Sequence, residues 1–305
     1  MNLNFAFFGT STVATTVLDE LALAGYLPSL IITMPDAPVG RKRVLTPPPV
    51  KLWAEAHSIP VEQPTSLKNL APKFEIRNLK FEILLVVDYG KLIPKSVLDI
   101  PKQGSLNVHV SLLPQYRGPS PMQTALLDGA TKTGVTIMEV VEGLDEGAIV
   151  ATETIDLATW KPTFQELAQH SAHIGGKLLV KILPDYLAGK IKGEEQDHSK
   201  ATYTKKFTAE DAFIEAEVVL GKIGGEKAKK AEQMVRALNP EPGTWTEFQT
   251  SRGPTSVLGE VGPLPSLRLK ILKAHIEGGT FSPDLVIPAG KKEMPWQDFL
   301  RGNKL

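Results

Sequence analysis

The chain has 305 residues, of which 42% are apolar and 22% charged, with 34 basic and 34 acidic side chains. That length suits one large domain or two ordinary ones, each able to bury a core without staples. The absence of cysteine excludes disulfides, thiolate nucleophiles and Cys-ligated zinc, and a net charge of zero leaves only local basic patches to attract nucleic acid.

Short apolar runs alternate with helical patterns through the first 190 residues. Phe5 to Phe8, Leu30 to Thr33 and Ile83 to Val87 are continuous apolar runs of strand length, as expected for strands buried on both faces of a parallel sheet. Helices are expected over Val13 to Ala24, Val50 to His57 and Leu70 to Leu79, with further strands at Ser105–Val110 and Val135–Val140. Thr163 with Glu166 reads as a capping box that opens a long helix, whose one face carries Phe164, Leu167, Ser171, Leu178, Ile182 and Tyr186. The pattern predicts an α/β fold with a doubly wound, mostly parallel, Rossmann-like sheet over residues 1–189. Polar Gly189 to Lys200 reads as exposed, and residues 190–207 are expected to form a linker.

Beyond it the character changes. Thr208 with Asp211 reads as another capping box. Lys227 to Leu238 is a helix stopped by Asn239-Pro240-Glu241-Pro242-Gly243. Strand-like pieces follow at Thr244–Phe248, Ser256–Leu258 and Leu267–Leu272, separated by Gly and Pro. Residues 208–305 are therefore expected to form a small OB-like β-barrel domain. No apolar run approaches the roughly 20 residues that span a bilayer. Met1-Asn2-Leu3-Asn4 carries no basic region, so a soluble, cytoplasmic chain without signal or transit peptide is expected.

The chemistry concentrates in Asn107-Val108-His109-Val110-Ser111-Leu112-Leu113-Pro114-Gln115-Tyr116-Arg117-Gly118. Residues two apart on a strand share a face, so Asn107 and His109 stand side by side, and Leu-Leu-Pro ends the strand just beyond them. The carboxyl edge of an open α/β sheet is where ligands bind. An amide beside an imidazole suits oxyanion stabilisation, and Asp145, between Gly143 and Gly147, is the candidate carboxylate. Taken singly, His109 reads as readily as a hydrogen-bonded structural residue and Asp145 as a turn residue. His170 and His173, three apart on a helix, read as a solvated face rather than a metal pair, and no metal site is suggested.

The whole run Asn-x-His-x-Ser-Leu-Leu-Pro-x-x-Arg-Gly, followed by Thr133-Gly134-Val135-Thr136 and Gly-Leu-Asp-x-Gly, resembles the folate-dependent formyltransferase family. The likeness extends to Phe8-Gly9-Thr10, Pro35-Asp36, Gly40-Arg41, Pro47–Lys51, Tyr89-Gly90-Lys91, Gln196-Asp197, Thr202-Tyr203, Arg236 to Pro240 and Pro288 to Lys292. The resemblance implies Asn107, His109 and Asp145 as the catalytic trio and 10-formyltetrahydrofolate as donor. It also implies a folate site lined by Ser111, Leu112, Leu113 and Pro114 beside Tyr89, Gly90 and Lys91. Within the family the likeness is greatest to members whose acceptor is the α-amine of methionyl initiator tRNA, which implies that tRNA and folate as partners; a monomer is expected, with no membrane partner and no metal. The 15-residue Pro35 to Pro49 segment, with Arg41, Lys42 and Arg43 at its centre, would be the loop that enters the acceptor stem. Lys227, Lys229, Lys230, Arg268, Lys270 and Lys273 would hold phosphates. Other acceptors, an amino-sugar nucleotide or a purine-precursor amine, remain open, as does a non-catalytic RNA-binding role. One departure is expected near the end. Relatives carry two more barrel strands and a Gly-rich turn where His275 to Ile287 reads as a short connector, so the carboxyl-terminal domain reads as shortened. Asp88 is a charge where relatives carry alanine.

Overall fold

The computed structural model describes residues 3–40, 42–70, 80–249 and 266–303. The expected helix over Leu70 to Leu79, the strand at Ser256–Leu258 and the side chain of Arg41 lie outside the described residues. The chain divides into two compact units. The first comprises Met1–Pro121, Thr131–Trp160 and Gln165–Lys205; the second comprises Met122–Ala130, Lys161–Phe164 and Lys206–Leu305. Residues 190–205, read from the sequence as linker, thus pack with the first unit.

The first unit is built on β1 (Phe5–Gly9), β2 (Leu30–Ile32), β5 (Val61–Glu62), β6 (Ile83–Val87), β7 (Ser105–His109), β8 (Lys132–Glu139) and β9 (Ile149–Asp156), in the order β5-β2-β1-β6-β7-β8-β9. Pairing is parallel from β5 to β7 and antiparallel from β7 through β9. The mostly parallel sheet expected from the apolar runs is therefore present. β1 and β6 are buried along their whole length because both faces are covered. One face packs Ala6, Phe8, Leu30, Ile32, Leu84 and Val86 with Phe81, Tyr89 and Val97. The other meets the long α5 (Phe164–Leu187), where Val108 of β7 sits against Gly175 so closely that a methyl there would come within 2.6 Å of it. α1 (Thr12–Leu23) and α2 (Pro49–Ala56) follow their strands as expected, and the short α3 (Lys95–Leu98) precedes β7. Strand order reverses at β1, so the open ends of β1 and β6 form the topological switch point.

Two features of this unit differ from expectation. The basic segment after β2 is a hairpin, β3 (Ala37–Val39) with β4 (Val44–Thr46), not an irregular loop. Residues 189–200 are not an idle linker: Glu194 exchanges backbone hydrogen bonds with Ile149 at 2.7 and 2.8 Å, and Gln196 is buried. Most of the other side chains in this stretch are exposed, so its polarity suits solvent while its backbone and Gln196 tie it to the first unit.

The second unit holds the one-turn-long α6 (Ala216–Val219), α7 (Glu226–Leu238), a four-stranded antiparallel sheet and α8 (Trp296–Gly302). It also includes Met122–Ala130, which contains most of α4 (Pro121–Leu127). The sheet order is β10 (Trp245–Gln249), β11 (Ser266–Glu277), β12 (Thr280–Pro288) and β13 (Met294–Pro295). Its core includes Val218, Val235, Phe248, Leu269, Ile271, Phe281, Val286, Trp296 and Phe299. Thr208 with Asp211 opens only a 3-10 turn at Glu210–Ala212. The expected connector His275 to Ile287 is instead the paired arms of the β11–β12 hairpin, turned by Gly278 and Gly279, both at positive φ. Alternating polar residues on its exposed face, His275, Glu277 and Asp284, hid that strand character in the sequence.

Candidate active site

β7 delivers Asn107 and His109 to the carboxyl end of the sheet. Asn107 pairs in register with Val86 of β6 and Met138 of β8, and His109 with Thr136 of β8. Asn107 is half-buried, and among the described residues its amide makes no hydrogen bond to the protein. His109 is buried, with Nε2 at 3.1 Å from the carbonyl oxygen of Tyr116. A hydrogen on Nε2 satisfies that contact and turns Nδ1 toward Asp145, whose Oδ2 lies 3.7 Å away. That separation exceeds a direct hydrogen bond; a second proton on the ring makes the pair attractive.

Asp145 occupies the loop between β8 and β9 at φ 52, the left-handed region that aspartate tolerates better than most residues. Its Oδ2 accepts the N–H of Gly118 at 2.7 Å. Gly147, two residues on, has no room for a side chain: a Cβ there would stand 1.7 Å from the carbonyl oxygen of Glu139. The structure therefore brings Asn107, His109 and Asp145 together at one edge.

The residues expected around folate divide into two groups. Ser111 and Leu113 are buried and shape the turn after β7: Ser111 Oγ donates to the carbonyl of Gln115 at 2.7 Å. Leu112 leans on Gly134 of β8, and the Leu113–Pro114 bond is cis. Thr136, which the sequence reading quoted in the Thr133–Thr136 motif without giving it a role, ties this turn down. Its hydroxyl donates to the carbonyl of Ser111 at 2.7 Å and accepts the N–H of Leu113 at 3.2 Å. Tyr89 is also turned inward. Its ring meets Phe8 edge-on at 5.3 Å, its hydroxyl is buried with no partner among the described residues, and burial pushes the phenol up to about 12. Its carbonyl accepts from Thr10 Oγ1 at 3.0 Å, which joins the loops after β1 and β6. Asp88 and Gly90, by contrast, are exposed at positive φ, and Lys91 Nζ donates to the carbonyl of Thr65 at 3.0 Å. What the 88–91 loop offers a ligand is thus backbone and open space at Gly90.

Lys42 and Arg43 lie exposed at the tip of the β3–β4 hairpin, beside exposed Val39, Val44 and Leu45. The hairpin's base is fixed. Lys51 Nζ reaches both carboxylate oxygens of Asp36 at 2.9 Å, and Gln63 donates to Asp36 at 2.7 Å and to the Met34 carbonyl at 2.8 Å. The Gln63 and Lys51 bonds hold the Asp36 carboxyl below its ordinary value. Elsewhere, His173 pairs with Glu20 at 2.8 Å and His170 meets Trp160 edge-on, so neither turns toward a shared ion. Among the described residues no group of three His, Cys, Asp or Glu is placed to hold a metal, and no helix is long and apolar enough to cross a membrane.

The model of the formyl transferase family matches residues 1–183. The chain is similar to the methionyl-tRNA formyltransferase of Listeria welshimeri, 36% identical over 97% of this chain and 94% of that one. It is similar to that of Halorhodospira halophila at 36% identity over 100% and 98% of the two chains. In fold it resembles the methionyl-tRNA formyltransferase of Clostridium thermocellum, with TM-score 0.59 at 17% identity over 94% and 98% of the chains. It also resembles an N-formyltransferase of Helicobacter canadensis, solved with folinic acid and dTDP-3-aminofucose, with TM-score 0.60 at 17% identity over 90% and 88%. The chain belongs to the formyl transferase family, and it is a formyl-transferring enzyme.

Proposed function

We propose that the chain transfers the formyl group of 10-formyltetrahydrofolate to the α-amine of methionyl initiator tRNA, for translation initiation. The observation that carries this reading is the match to methionyl-tRNA formyltransferases along 97% of the chain. The fold neighbours do not separate tRNA from amino-sugar acceptors, because both kinds superpose equally well at 17% identity.

In this reading the neutral amine attacks the formyl carbon and the carbonyl oxygen becomes a tetrahedral oxyanion. Asn107, whose amide has no protein partner among the described residues, donates to that oxygen. His109, protonated, supplies a second donor on the edge it shares with Asp145. Asp145 orients the ring and relays the proton lost by the attacking nitrogen to the departing folate nitrogen, and collapse of the intermediate breaks that C–N bond and expels tetrahydrofolate. The loop at Asp88–Lys91 and the turn Ser111–Pro114 enclose the folate through backbone and ring packing. No metal enters this scheme.

The hairpin with Arg41, Lys42 and Arg43 is proposed to enter the acceptor end of the tRNA. Its clamped base and its basic tip, flanked by exposed Val39, Val44 and Leu45, support that role. Exposed Lys270 and Lys273 of β11 supply phosphate contacts. Residues 1–189 act as catalytic domain, 190–207 as connecting strap and 208–305 as the OB-like tRNA-binding domain of a cytoplasmic monomer. The test offers 10-formyltetrahydrofolate with methionyl initiator tRNA, methionyl elongator tRNA and a dTDP-amino sugar in parallel. Acid-stable formylmethionine from initiator tRNA alone is the expected result, and product only from the amino sugar overturns the acceptor assignment.

A further inference from the structure

Arg117 is fully buried, a costly place for a guanidinium unless its donors and charge are met. Its Nε and Nη2 both donate to Oε1 of Gln196, at 3.2 and 2.8 Å. Nη2 also donates to His198 Nδ1 at 3.1 Å, and Nη1 to the Tyr203 hydroxyl at 3.3 Å, with Glu146 Oε1 at 3.5 Å. Gln196, 5% exposed, turns its Nε2 the other way and donates to the carbonyls of Asp145 at 2.9 Å and Gly147 at 2.7 Å. The residue after Arg117, Gly118, gives its N–H to the Asp145 carboxylate. The backbone of Arg117 is in turn held by Thr202 and Thr204, each at 2.8 Å.

Asp145 is therefore gripped twice by one assembly, at its carbonyl by Gln196 and at its carboxylate by Gly118. Its left-handed backbone needs such support to persist. An ordinary structural tie would stabilise the fold without regard to this loop; here the side-chain amide of Gln196 donates to the carbonyl of Asp145 itself and to that of Gly147 in the same loop. We propose that Arg117 and Gln196 are positioning residues that set the placement of Asp145 against His109, with the strap 196–204 as their anchor. The proposal rests on the role given to Asp145 above.

Gln196→Glu tests it, because the acceptor for Arg117 survives while both donors to the Asp145 loop are lost. The expected outcome is a fall in kcat of tenfold to about a hundredfold, with KM for 10-formyltetrahydrofolate changed less than about threefold. Amide exchange at residues 145–147 should accelerate while β1 and β6 keep their protection. In an Asp145→Asn background the same change should cost less than about threefold more, because the positioned group is already lost. An equal loss in both backgrounds would make the pair merely structural and overturn the proposal, as would unchanged kcat. If Gln196→Glu does not fold, Gln196→Asn, which keeps every group but retracts it, should show the same pattern more weakly. If the wild type formylates no acceptor, the functional reading fails, and exchange alone decides: unaltered protection at 145–147 then overturns the positioning role.

Discussion

Thr136→Val asks whether the turn that carries the site is held by one hydroxyl. Thr136 is fully buried on β8, directly opposite His109. Its Oγ1 is the hydrogen-bond partner of both the Ser111 carbonyl, at 2.7 Å, and the Leu113 N–H, at 3.2 Å. Valine preserves the shape but orphans one buried acceptor and one buried donor, at about 1–3 kcal/mol each. The added methyl returns about 1 kcal/mol through burial, leaving a net loss of about 3 kcal/mol. Thr136→Ser keeps the hydroxyl and loses only a methyl, about 1 kcal/mol. Urea unfolding, read together with amide exchange on β7 and β8, separates the two. The turn also carries Tyr116, whose carbonyl receives His109, so valine should depress kcat as well. If Thr136→Val costs no more than Thr136→Ser, the hydroxyl does not hold the turn and the reasoning fails.

Tyr89→Phe should raise the melting temperature by a few degrees, because it removes a buried hydroxyl that has no partner among the described residues, a cost of about 1–2 kcal/mol; a raised KM for folate would instead show that the hydroxyl meets ligand. Burial raises the Tyr89 phenol from 10.0 to about 12, so it leaves stability independent of pH below 10 and lowers it as pH climbs from 10 toward 12, where the unfolded chain ionises first; Tyr89→Phe should flatten that alkaline fall. Gly147→Ala should cut turnover on the order of a hundredfold, since the new methyl meets the Glu139 carbonyl and the Asp145 loop must move; unchanged kcat would show that the loop position is immaterial. Lys42→Ala with Arg43→Ala should raise KM for tRNA and leave KM for folate alone, and an equal loss for both substrates would make the hairpin structural.

Residues whose signal is local were readable in the sequence. β6 is legible because Ile83–Val87 is apolar on both faces, and Asn107 with His109 because strand alternation fixes their common side. β9 escaped notice because Ile149–Asp156 is a largely exposed edge strand, held by its ladder to β8 rather than by burial. The β3–β4 hairpin shows no core pattern, since its apolar side chains face outward. Arg117 and Gln196 are 79 residues apart, and no periodicity joins them; only their presence in the family motifs hinted at a role. Tyr89 illustrates the opposite limit. Its place in the motif was visible, but the direction of its ring was settled by packing against Phe8.

The central claim is that the strand-end trio acts on a folate-borne formyl group, and single-turnover transfer by Asn107→Ala tests it most directly. With methionyl initiator tRNA as acceptor, the rate should fall a hundredfold to a thousandfold, the usual cost of one oxyanion donor, while 10-formyltetrahydrofolate binds as tightly as to the wild type. A rate within a few-fold of the wild type would contradict the account, because the amide that has no partner among the described residues would then have no part in the chemistry.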